Sequence, residues 1–174
     1  MPSFAELPTV RFAQSMRSHA ESIYQNVFPA SSYSSVEGSD ADRLLGIDAV
    51  IRLRSGCRLT LQEKYRSLDA LKYGDFTIEA RNGDGSEGEF GHLSAQLYFY
   101  GWGDADNGFL QWLLIDVTQL KMLIDRLGGL AAVGQRMQNS IHGSSVFYCI
   151  PLETIMPAVI VSNLGVLTSQ VIAA

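Results

Sequence analysis

Between Gly46 and Arg66 the chain reads GIDAVIRLRSGCRLTLQEKYR, two β-prone apolar runs parted only by a short stretch around Ser55 and Gly56. So short a connection predicts an antiparallel hairpin, because Gly56 can take the positive φ that a tight turn needs. Alternation along the second strand then puts Thr60, Gln62 and Lys64 on one face and Leu59, Leu61 and Glu63 on the other. In the first strand, Asp48 interrupts the apolar set Ile47, Ala49, Val50 and Ile51. An acid, an amide and an ammonium thereby converge at one end of a small sheet, as a metal-dependent hydrolytic site requires.

An aspartate entering a hairpin, followed about a dozen residues later by an acid or Gln, any residue and then Lys, resembles the pattern of the PD-(D/E)XK nuclease superfamily. Here the pattern falls on Asp48, Gln62 and Lys64. The resemblance implies an α/β (α+β) chain of restriction-endonuclease-like type, with a central mixed β-sheet, an antiparallel hairpin at its core and flanking helices. It also implies one or two divalent ions, Mg²⁺ or Mn²⁺, and hydrolysis of nucleic-acid phosphodiesters, with DNA as the expected partner. By the same resemblance Asp48 and Gln62 would hold the ion, with the Glu63 carbonyl as a further ligand. Lys64 would stabilise developing charge or orient the water, and Glu21 would take the place of an upstream helical glutamate. The acid most members carry is replaced by Gln62, a residue some members use in this role, with Glu63 beside it on the opposite face. Gln96 and Tyr100 match the Gln-x-x-x-Tyr element of the exonuclease branch.

A length of 174 residues fits one domain spanning 1–174. Eighteen acidic against thirteen basic residues give a net charge of −5, which argues against general affinity for polyanions. A nuclease needs only a local basic groove, and Arg52, Arg54, Arg58 and Arg66 around the hairpin are the candidates for one. Cys57 and Cys149 show neither a disulfide framework nor zinc-ligand spacing. With no secretory pattern in MPSFAELPTVRF, a cytoplasmic location is expected. After Glu153 no charge follows, but Pro157, Asn163, Gly165 and Gln170 break the stretch. No membrane partner is expected; the segment reads as buried or as a homo-oligomer contact.

Residues 8 to 28 predict an amphipathic helix between Pro8 and Pro29, with Phe12, Met16, Ala20, Ile23 and Val27 as its apolar stripe. Glu21 falls on the far side of that stripe, where a solvated glutamate is the competing reading. Residues 30–42 read as a loop with room for a short strand, and a strand follows in GDFTIEA from Gly74. NGDGSEGEFG, from Asn82 to Gly91, carries four glycines and reads as a loop without helix or strand. His92 to Trp102 reads as a strand paired with Phe109 to Ile115, on its Tyr, Phe and Trp content. A helix is the alternative, and the exonuclease-branch element requires it. Thr118 is the expected cap of a helix ended by Gly128 and Gly129, and SSVFYCIPL predicts a last strand. Ser144 beside His142 lacks a nucleophile elbow, and GGLAAVGQR lacks the Lys-Ser/Thr of a phosphate loop.

Two functions fit these residues. One is a metal-dependent nuclease built on Asp48, Gln62, Lys64, Glu21 and Glu63. The other is a non-catalytic protein of the same scaffold, acting by protein binding or self-assembly, which the acidic balance and Gln62 favour.

Overall fold

The computed structural model describes residues 8–139 and 144–164. A long helix, α1 (Pro8–Val27), precedes strand β1 (Ser32–Ser35), a short helix α2 (Asp40–Leu45), and strands β2 (Ala49–Arg52) and β3 (Arg58–Ser67). A 3-10 segment (Leu68–Tyr73), β4 (Asp75–Arg81) and α3 (Glu89–His92) lead to β5 (Leu97–Asp104) and β6 (Gly108–Asp116). Helices α4 (Val117–Arg126) and α5 (Leu130–Val133) follow, then β7 (Gln135–Gln138), β8 (Val146–Pro151), α6 (Leu152–Ile155) and β9 (Val159–Ser162).

The fold is α+β, with a mixed six-stranded sheet in the order β1-β2-β3-β5-β6-β9 and a second sheet in the order β4-β8-β7. Only β3 and β5 run parallel, with Gln62 beside Tyr98 and Lys64 beside Tyr100; the other pairings are antiparallel. A parallel neighbour needs a crossover. Residues 68–96 supply it and leave β4 in the other sheet.

The expected hairpin is present: β2 pairs with β3 from Ala49–Leu61 to Arg52–Arg58, and Gly56 turns it with a φ of 86°. Alternation divides the large sheet into two apolar faces. Ala49, Ile51, Leu61, Leu97, Phe99 and Leu114 pack against Ala20 and Tyr24 of α1. Tyr98, Tyr100, Trp102, Leu113 and Ile115 pack against Phe76, Ile78 and Ile150 of the small sheet and Leu120 and Ile124 of α4. Strand β5 serves both faces through alternating bulk, since Gly101 and Gly103 lie between the large rings. A Cβ on Gly103 would stand 2.2 Å from the Gly108 carbonyl oxygen and 2.6 Å from Met16 Cε, so α1 reaches the sheet only because that position is bare. Polar contacts also join the sheets: Tyr100 Oη accepts the Thr77 N–H at 3.1 Å, and an Arg66 Nη1–H donates to Thr77 Oγ1 at 3.2 Å.

Several expectations need correction. The glycine-rich stretch does hold a helical turn, α3, because Glu89 and Phe90 lie beyond its glycine-dense part and Phe90 packs on the core. Asp116 rather than Thr118 caps α4, its side chain accepting the Gln119 N–H. Residues 97–104 form a strand, so the helical alternative is not adopted; Gln96 instead clamps Thr60, accepting its N–H at 3.0 Å. The uncharged tail contributes β9, paired with β6 at the sheet edge. Residues 165–174, with much of the expected oligomer contact, and His142 lie outside the described residues. Among the described residues, no helix is long and apolar enough to cross a membrane.

Candidate functional site

Asp48 stands one residue before β2, fastened on both sides. Its N–H donates to the Leu61 carbonyl and its carbonyl accepts the Val36 N–H, both at 2.8 Å. Asp48 Oδ2 accepts the Glu63 N–H at 2.7 Å, satisfying an amide beyond the end of β2. Burial pushes the Asp48 carboxyl up to about 7; the Glu63 N–H opposes this, and the charges of Glu63, Asp42 and Glu89 add to it.

The alternation expected along β3 holds, and it sends neighbouring residues into different chemistry. Glu63 points toward α1, where Tyr24 Oη donates to Oε1 at 2.6 Å and Tyr33 Oη to Oε2 at 2.9 Å. Tyr65 Oη lies by the same carboxylate without a hydrogen-bond partner of normal geometry. Burial raises the Glu63 carboxyl, and the tyrosine hydroxyls and Arg17 pull it back. A cavity of about 570 Å³ opens over this side, lined by Arg17, Glu37, Asp42, Arg43, Asp48 and Glu63 among others.

Gln62 and Lys64 open on the other side, into a cavity of about 310 Å³ that Asp42, Glu79, Asn82, Glu89 and His92 also line. Lys64 Nζ donates to Glu89 Oε2 at 2.9 Å, and the pair is largely shielded from solvent. Tyr98 Oη donates to the other oxygen of Glu89. Gln62 Oε1 is buried and accepts no hydrogen bond, with the main chain of Gly46 lying against it. An unpaired buried amide oxygen costs about 1–3 kcal/mol, so its position marks a place where a donor or cation is wanted.

Asp48 thus lies next to the peptide unit joining Gln62 and Glu63, but its cavity adjoins that of Gln62 and Lys64 rather than coinciding with it; Asp42 and Glu63 line both. Glu21 lines neither of the two and is felt by Tyr33, while Arg17, four residues earlier on α1, faces the Asp48 cavity. Of Arg52, Arg54, Arg58 and Arg66, the first three are exposed at the hairpin tip, whereas Arg66 turns inward to Thr77.

Two participants escape a motif reading. Glu89 lies in a glycine-rich stretch whose only advance signal is the Glu-Phe pair at its end. Tyr24 follows Ala20 by four on the apolar stripe, which identifies it as facing the sheet but not as a partner of Glu63.

Among the described residues, no three His, Cys, Asp or Glu side chains form a preassembled ion cage. The donor chemistry nevertheless suits a hard divalent cation: the Asp42 carboxylate shares a cavity with the unsatisfied Gln62 amide oxygen, Asp48 lines the adjoining one, and Mg²⁺ and Mn²⁺ take oxygen ligands. No protein-family model matches the chain, and no curated protein matches it.

Proposed function

We propose that this protein is a metal-dependent nuclease of restriction-endonuclease-like architecture that hydrolyses nucleic-acid phosphodiesters at the Asp48–Gln62–Lys64 end of the hairpin. The observation that carries this reading is Gln62 Oε1, buried without a partner beside the cavity that Lys64 and Asp42 also line. In this reading Asp48 and the amide oxygen of Gln62 would hold Mg²⁺, with the Glu63 carbonyl as a further ligand. When bound, the ion supplies charge neutralisation at the phosphate and lowers the pKa of an attacking water. Lys64 then stabilises charge developing on the phosphate oxygens. Glu89 and Tyr98 hold that ammonium in place until substrate competes for it.

The test is cleavage of single-stranded and duplex oligonucleotides with Mg²⁺ or Mn²⁺, beside calorimetric titration of the metal. Asp48→Asn should lose both metal binding and cleavage, whereas Lys64→Ala should lose cleavage and keep most of the metal affinity. Identical metal responses in wild type and Asp48→Asn would overturn the reading.

A second reading, a non-catalytic binding protein on the same scaffold, draws on the Lys64–Glu89 pair, which neutralises the one ammonium of the site. Metal-independent behaviour of all three proteins would favour it.

A further inference from the structure

Arg52 lies directly opposite Arg58 in the hairpin, and Ser32 lies directly opposite Arg52. Residues opposite each other in an antiparallel pair share a face. The same alternation adds Ser34, Val50 and Thr60, and it continues along β3 to Gln62 and Lys64. At the tip this face is open: Ser32, Ser34, Arg52 and Arg58 are exposed, and with Val36 and Val50 they line a shallow depression into which no carboxylate projects. Arg54 extends the positive charge into the turn. The ion pairs among the described residues are Arg17–Glu37 and Lys64–Glu89, so none of these three arginines is neutralised by one.

Like charges directly opposite on a sheet destabilise it. In a chain of net charge −5, carboxylates are plentiful, yet none sits in this depression. The arrangement suits a polyanion, whose phosphates would relieve the repulsion and take hydrogen bonds from guanidinium and serine hydroxyl donors. From Arg58 to Gln62 the strand covers ~13 Å at ~3.3 Å per residue, about four base steps of B-DNA at 3.4 Å each.

We infer that the open face of β1, β2 and β3, through Arg52, Arg58, Ser32 and Ser34, is a track for the sugar-phosphate backbone of one nucleic-acid strand. The track leads that strand toward Gln62 and Lys64. The inference rests on the nuclease reading for the direction of the track, but binding to it needs neither metal nor hydrolysis.

The experiment is fluorescence anisotropy with labelled single-stranded and duplex oligonucleotides in EDTA, across a salt series. It uses the full chain and the variants Arg52→Ala/Arg58→Ala, Arg52→Glu/Arg58→Glu and, as a control on α4, Arg126→Ala. The alanine pair should weaken binding on the order of tenfold and flatten the dependence of log K on log salt by about 2, one for each lost phosphate contact. The glutamate pair should abolish binding, and Arg126→Ala should match wild type. Thermal melting should show the alanine pair at least as stable as wild type, because a repulsion has been removed. Unchanged affinity in the alanine pair, or equal losses in Arg126→Ala, overturns the track. So does binding to anionic phospholipid vesicles but not to oligonucleotides. Cleavage assays separate the two conclusions: arginine-dependent binding with no cleavage under Mg²⁺ keeps the track and removes the nuclease reading. Metal-dependent cleavage untouched by the alanine pair does the reverse.

Discussion

Replacing Asp48 by Asn should make the metal-free protein more stable at pH 8, although it removes a hydrogen-bonded carboxylate. The Asn amide oxygen can still accept the Glu63 N–H, which Asp48 accepts at 2.7 Å, so the contact survives and only the charge is lost. In the unfolded chain this carboxyl ionises near 3.9; in the fold, burial and the charges of Glu63, Asp42 and Glu89 hold it near 7. Because its folded value is raised, its stabilising contribution is complete below pH ~4 and is lost as pH rises to ~7. About three pKa units at 1.36 kcal/mol each set an upper bound near 4 kcal/mol. Partial access to solvent through the adjoining cavity reduces this to about 2–3 kcal/mol. Urea unfolding of wild type and Asp48→Asn in EDTA, from pH 4 to 8.5, isolates this group together with its coupling to Glu63, Asp42 and Glu89, since acids far from it contribute equally to both. The difference should be near zero at pH 4, grow in favour of Asn to pH 7 and then level off. Excess Mg²⁺ at pH 8 should shrink the gap by stabilising wild type alone. A difference that stays flat across the series would refute both the buried carboxyl and its crowding.

Gln62→Glu adds a carboxylate near Asp42, Glu79 and Glu89; it should destabilise the metal-free protein by about 1–2 kcal/mol at pH 8 and tighten Mg²⁺ binding roughly tenfold, by denaturation and calorimetry. Gly103→Ala places its Cβ against the Gly108 carbonyl and Met16, where main chain cannot swing aside. A loss of about 2–3 kcal/mol is expected, seen as a Tm lower by ~5–10 °C.

What could be read from the sequence was what local rules govern. The hairpin announced itself through two β-rich runs and Gly56, and the division of Gln62 and Lys64 from Glu63 follows from alternation alone. Helix α1 was bounded by its prolines, and β5 and β6 by their aromatic content. The cap of α4 was misplaced by two residues, although Asp116 stands three before Gln119, a spacing that itself signals a cap. The second sheet was not legible because β4 finds β8 across more than sixty residues, and no local pattern encodes that choice. Glu89 was hidden for the same reason: its partners Lys64 and Tyr98 reach it through the fold. The relation of Asp48 to Gln62 lay between these cases. Pairing brought their backbones together, but the direction of each side chain was set by packing against α1 on one side and the small sheet on the other.

The crossover between β3 and β5 has a consequence for the order in which the chain can assemble. Strand β4 is part of that crossover, yet its sheet partner is β8, which comes after β5, β6, α4 and β7 in the chain. As the chain emerges from a ribosome, the hairpin, its α1 cover and the β5–β6 pair can form while β4 still lacks a neighbour. Only when residues 146–151 arrive does β4 gain its ladder and Glu79, on that strand, its fixed place in the cavity of Lys64; Glu89 is tied to Lys64 of β3 and Tyr98 of β5 without them. The β4 side of the wall around Gln62 and Lys64 therefore awaits a long loop closure. Up to that point the nascent protein can hold the hairpin and the Lys64–Glu89 pair while the cavity beside them stays open on the β4 side.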